Sequence, residues 1–175
     1  MRLLFALALT LSSTVHAEDQ ARYVHDHARL TVTVEGHALR VELAAPAINV
    51  FSFEHAPRDA AERAGMAHDL AALRIAGSWL QPSADAGCAL QSTHADSPLR
   101  QLEAGSRTGG DGADHAYVLA GWAYHCGAPE RLRELGVDFH DALPGLTSIS
   151  VEYLAPLARG VREFDSPAGI VPLQP

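Results

Sequence analysis

The chain has 175 residues, a formal net charge of −8 and no lysine, so every basic side chain except histidine is arginine. An acidic balance with no basic cluster argues against nucleic acid and anionic lipid surfaces as partners. It leaves cations open as partners without selecting them.

Met1-Arg2 and the apolar run Leu3–Leu11 precede Val15-His16-Ala17. This is the layout of a secretory signal peptide, with cleavage expected after Ala17. No later stretch is long and apolar enough for a membrane span, so the mature protein is expected to be exported, periplasmic and not inserted in the membrane. The remainder, residues 18–175, is one domain's worth of chain and enough to bury a core.

His25-Asp-His27 comes next, directly before an alternating run. Two imidazoles and a carboxylate at the mouth of a hairpin can be surface decoration, a catalytic pair or half of a metal site. In extended chain His25 and His27 point to one side, with Asp26 turned away. Leu30, Val32 and Val34 then alternate with Thr31 and Thr33. After the turn Glu35-Gly36-His37, Leu39, Val41 and Leu43 alternate again, which is a β-hairpin ended by Pro46.

Phe53-Glu54-His55-Ala56-Pro57 is a loop running into a helix over 57–74. Pro57 suits its first turn, Asp59 and Glu62 favour the positive end of its dipole, and Met66, Leu70 and Leu73 make a core-facing stripe. Residues 87–93 read as a strand. Residues 98–112, rich in glycine, read as a flexible insertion; the Gly-Lys-Ser/Thr order of a phosphate loop is missing.

Residues 115–126 read as a long strand with Val118, Ala120, Trp122, Tyr124 and Cys126 on one face. A short helix is expected over 128–135, capped by Gly136, followed by a strand around Ile149, Val151 and Tyr153 and an edge strand at Ile170-Val171. The expected fold class is α+β: a mainly antiparallel sheet with two helices packed on it and one disulfide.

Cys88 and Cys126 are the only cysteines. In an oxidising compartment an even pair forms a disulfide, and the rival two-thiolate metal site lacks the close Cys-x-x-Cys spacing.

Ten histidines in 175 residues is a heavy load. Imidazole is the commonest protein ligand for transition metals. Besides His25 and His27, the candidate donors are Glu54, His55 and His115, which opens the long strand beside Asp114. His68 and His140 fit ordinary surface roles. There is no Gly-x-Ser-x-Gly elbow, no His-Glu-x-x-His helix and no unpaired cysteine, so the chain is not expected to be an enzyme.

His25-Asp-His27 with its hairpin, Phe53-Glu-His-Ala-Pro57, Gly87-Cys-Ala-Leu90, the strand bearing Tyr117, Trp122, Tyr124 and Cys126, and Leu143-Pro-Gly-Leu146 stand in this order along the chain. In that order and spacing the sequence resembles the ZrgA-like proteins, zinc-regulated and zinc-binding periplasmic proteins of Gram-negative bacteria. The resemblance implies zinc binding, with copper the weaker alternative, and assistance to zinc acquisition or buffering beside a periplasmic zinc ABC import system. Many members carry a His/Asp/Glu-rich tract between the two cysteine strands. Here residues 101–112 contain no histidine, which puts multi-ion buffering in doubt. What remains is a site from His25, His27, His55 and His115, with Glu54 or Asp114 assisting. The other reading is a non-catalytic interaction domain with weak or no metal binding.

Overall fold

Alternation drives the architecture. In the computed structural model, which describes residues 25–75, 79–105 and 115–174, β1 (His27–Glu35) and β2 (Ala38–Pro46) form the expected hairpin. Its register puts Leu30 opposite Leu43, Val32 opposite Val41 and Val34 opposite Leu39, so both apolar rows share one face. Gly36 makes the turn at φ +56°, a left-handed conformation that favours glycine.

After the short helix α1 (Ala47–Phe51), Ser52 takes a left-handed φ of 64° and turns the chain into the loop carrying Glu54. Helix α2 (Ala60–Leu73) follows. The Asp59 carboxylate accepts from Glu62 N at 2.9 Å, and Glu62 Oε2 accepts from Arg58 N at 2.7 Å, so both side chains satisfy N–H groups at the helix start. Met66, Leu70 and Leu73 are buried, as their spacing predicts.

The remaining strands are β3 (Leu80–Pro82), β4 (Cys88–Asp96), β5 (Tyr117–Cys126), β6 (Glu134–Asp138), β7 (Ser148–Leu154), β8 (Arg159–Phe164) and β9 (Ala168–Pro172). They form a six-stranded sheet in the order β4-β5-β2-β1-β7-β8 and a three-stranded sheet in the order β3-β6-β9. All pairings are antiparallel except β1 with β7. The fold is therefore α+β and sheet-dominated, with two α-helices among the described residues. Val118, Ala120, Trp122 and Tyr124 of β5 join Leu135 and Val137 of β6 and the α2 stripe in one apolar core. Trp122 Nε1 donates to Leu73 O at 3.0 Å, fastening the end of α2 to the large sheet.

Cys88 and Cys126 face each other across β4 and β5 and form the expected disulfide. Three readings differ from the structure. Helix α2 begins at Ala60 with Asp59 as its N-cap, so Pro57 lies ahead of the helix and not in its first turn. The helix expected over 128–135 is a 3₁₀ turn, Pro129–Arg131, followed by β6. Eight residues carry too little helix propensity to stand without a packed face. Strand pairing instead buries Leu135 and Val137, and Gly136 sits mid-strand opposite Gln81 and Ile170. The second helix is α1. Within the segment read as a flexible insertion, Pro98–Gln101 forms a 3₁₀ turn that buries Leu99 completely. Residues 106–112 of that segment, and the expected signal peptide, lie outside the described residues.

Candidate metal centre

The sheet order decides which histidines meet. β2 runs antiparallel to both β1 and β5, so β1 and β5 begin at the same end of the sheet, on either side of the end of β2. His25 lies two residues before the first residue of β1, and His115 two residues before that of β5. The end of β2 leads through Pro46 into α1, where Ala47 N donates to Ala116 O at 2.7 Å. The left-handed turn at Ser52, directly after α1, leads into the loop that places Glu54 at this same end.

His25 Nε2 lies 3.5 Å from Glu54 Oε2 and His115 Nδ1 lies 3.6 Å from the same oxygen. Donor atoms of all three residues fall within 4.8 Å of one another, and the two rings meet edge to face with centroids 5.2 Å apart. Tetrahedral zinc with bonds of about 2.0–2.1 Å separates its donors by about 3.3 Å. The spacings of 3.5 and 3.6 Å exceed that by a few tenths of an ångström.

The Glu54 side chain is 11% exposed, and its Oε1 is buried without a hydrogen-bond partner among the described residues. Burial pushes its carboxyl above the ordinary value, against the pull of the Ile48 backbone and of His115. A buried carboxylate with an unsatisfied oxygen is costly unless a cation meets it. Two imidazoles converge beside it. These donors fit a borderline divalent metal: two nitrogens, one carboxylate and no sulfur.

Three of the five residues singled out from sequence, His25, Glu54 and His115, are thus brought together. His27 lies apart. As the first residue of β1 it faces Ser148 of β7, and its Nδ1 is 2.9 Å from Ser148 Oγ. The same-side reading of His25 and His27 presumes extended chain, but residues 25–26 form a turn. Asp26 is held in it by Thr147, whose Oγ1 donates to Asp26 Oδ2 at 2.9 Å. His55 stacks on Phe53 at 4.9 Å, with Nδ1 3.0 Å from its neighbour's carbonyl, Ala56 O, and 4.0 Å from Glu62. Asp114 lies outside the described residues.

Elsewhere, His37 and His125 stack at 5.2 Å, and His37 Nδ1 is 2.7 Å from Cys126 O. Asp138 Oδ1, His140 Nδ1 and Ser166 follow one another in the manner of a hydrolase triad, at 2.8 Å and then 3.5 Å from Nε2 to Oγ. Asp138 and His140 are more than half exposed. The longer contact is too weak to activate a hydroxyl, and Ser166 Oγ instead accepts from Ala168 N at 3.2 Å.

Among the described residues no helix is long and apolar enough to cross a membrane. A family model described as "ZrgA family zinc uptake protein" matches residues 22–173. No curated protein matches the chain.

Proposed function

Because the chain belongs to the ZrgA family of zinc uptake proteins, we propose that it is a periplasmic zinc-binding protein whose site is His25, Glu54 and His115. The observation that carries this reading is the Glu54 carboxylate, buried, with one oxygen unpartnered among the described residues and the other faced by two imidazole nitrogens at 3.5 and 3.6 Å. The family model is that of a zinc uptake protein; two imidazoles and one carboxylate suit zinc, and the lack of sulfur among these donors argues against reduced copper. The role is binding, for acquisition or buffering, rather than catalysis. Zinc would be the cargo, held by neutral imidazoles and released as protons compete for them.

The exported location draws support from the Cys88–Cys126 disulfide, a bond that persists in oxidising compartments. A periplasmic zinc ABC importer is the natural recipient for a protein of this family. The histidine-free tract at 101–112 suits one defined site better than bulk storage.

Zinc titration calorimetry on the chain and on His25→Ala, His115→Ala and His27→Ala tests the site. The first two should weaken zinc by at least about tenfold, the low end for disrupting a metal site, and His27→Ala should stay near the parent value. An unchanged affinity in both His25→Ala and His115→Ala would move the site elsewhere. No binding to the parent chain would favour the interaction-domain alternative.

A further inference from the structure

The opposite end of the large sheet carries a second pair of imidazoles. His37, in the β1–β2 turn, and His125, near the end of β5, are both exposed. Their backbones are brought together by the β2–β5 register, which sets Ala38 opposite His125. The two rings lie within 11° of parallel, with centroids 5.2 Å apart. β5 is ten residues long, so at about 3.3 Å per residue this end lies roughly 30 Å from the Glu54 group.

His37 is held in one orientation. Its carbonyl accepts from Cys126 N at 2.8 Å, and its Nδ1 lies 2.7 Å from Cys126 O. A carbonyl oxygen can only accept, so Nδ1 carries the proton and the lone pair of the neutral ring sits on Nε2. Metal-binding histidines are commonly oriented in this way, one ring nitrogen donating to a backbone carbonyl while the other meets the ion. The disulfide to Cys88 fixes Cys126 in turn. The turn itself does not require the two rings, because Gly36 at φ +56° already makes it.

We propose that His37 and His125 form a second metal site, independent of the Glu54 centre, for a divalent late transition ion. His37 Nε2 is the preset donor. The His125 ring turns about χ2, a broad torsion, to bring a second nitrogen to the same ion. Water completes the shell. Zinc sites ordinarily draw three or four ligands from the protein. Copper(II) accepts a tetragonal shell of nitrogen and oxygen and heads the affinity order of the first-row ions. The pair therefore prefers copper(II), with nickel(II) and zinc weaker.

Copper(II), titrated into ¹⁵N-labelled protein preloaded with one equivalent of zinc, tests the site, because a bound paramagnetic ion broadens the amide signals nearest to it. Signals of residues 36–38 and 124–127 should broaden at low copper. His37→Ala and His125→Ala should each raise the copper concentration needed by at least about tenfold, since losing a ligand costs no less than losing a supporting group. His94→Ala, at another exposed histidine, should change nothing. His125→Ala leaves both bonds between His37 and Cys126 in place, so it keeps the test sound even if His37→Ala disturbs the turn. Unchanged broadening in a folded His125→Ala protein overturns the proposal, as does an equal loss in His94→Ala. Broadening confined to residues 25–30, 54 and 115–118 also overturns it while leaving the Glu54 centre standing.

Discussion

Glu54→Gln separates a metal ligand from a structural partner of the histidines. The substitution keeps shape and removes the charge at the centre of the group, where both imidazole nitrogens lie within 3.6 Å of Glu54 Oε2. In the metal-free protein, burial holds the Glu54 carboxyl above its ordinary 4.5. The folded state therefore keeps a proton that the unfolded chain has already lost. Stability from this group is full below the unfolded value and declines as pH rises through the folded one. At neutral pH the ionised carboxylate is a burden, so metal-free Glu54→Gln should be at least as stable as the parent.

Zinc reverses the order. At a free concentration of one hundred times Kd, a ligand stabilises by about 2.7 kcal/mol, and at roughly 2–4 °C per kcal/mol for a chain of this size Tm should rise about 5–10 °C. Losing a charged ligand should weaken zinc by about a hundredfold, the upper end of what supporting groups alone give. At the same zinc concentration the variant then gains only about 0.4 kcal/mol, or about 1 °C. Scanning calorimetry at pH 7.5 with and without zinc measures both halves. A variant that is clearly less stable without metal yet keeps the full zinc shift would refute the assignment, showing that Glu54 orders the two histidines and does not bind the ion.

Two further outcomes follow from the fold. The Cys88–Cys126 bond spans a sequence separation of 38, so the double Cys→Ala variant should lose about 4 kcal/mol of unfolding free energy on the chain-entropy relation; a loss under about 1 kcal/mol in urea denaturation would count against that account. The Tyr124 hydroxyl is buried without a hydrogen-bond partner among the described residues, and burial pushes its pKa up to about 12. Tyr124→Phe should therefore be neutral or stabilising by up to about 1 kcal/mol, and should abolish any loss of stability that this group causes between about pH 10 and 12, where the unfolded chain ionises first. Destabilisation of Tyr124→Phe by more than about 1 kcal/mol at pH 7 would show that the hydroxyl has a partner.

Local rules carried the β1–β2 hairpin, helix α2 and the disulfide into view, since each rests on a pattern visible within a few residues or on a pair count. They failed where a neighbour decides. Residues 128–135 contain good helix formers, but partners β3 and β9 recruit the end of that stretch as a strand. Strand β8 was not anticipated because Arg159, Val161, Arg162 and Glu163 are all exposed at a sheet edge and no buried face imposes alternation. Helix α1 is only five residues long, below the length at which periodicity can be read.

The same division holds for the metal centre. Composition alone determines that the chain is rich in imidazole, and position determines that His25, His27, Glu54, His55 and His115 sit outside the main apolar runs. Nothing local ranks them, because an imidazole two residues away is chemically identical. Only the tertiary structure separates them. Placing β2 between β1 and β5 brings His25 and His115 to one end of the sheet, and the left-handed turn at Ser52 delivers Glu54 beside them. Pairing of β1 with β7 takes His27 to Ser148 instead. Coordination needs donors a few ångströms apart in space, and residues 25, 54 and 115 acquire that proximity only through the order of strands in the sheet.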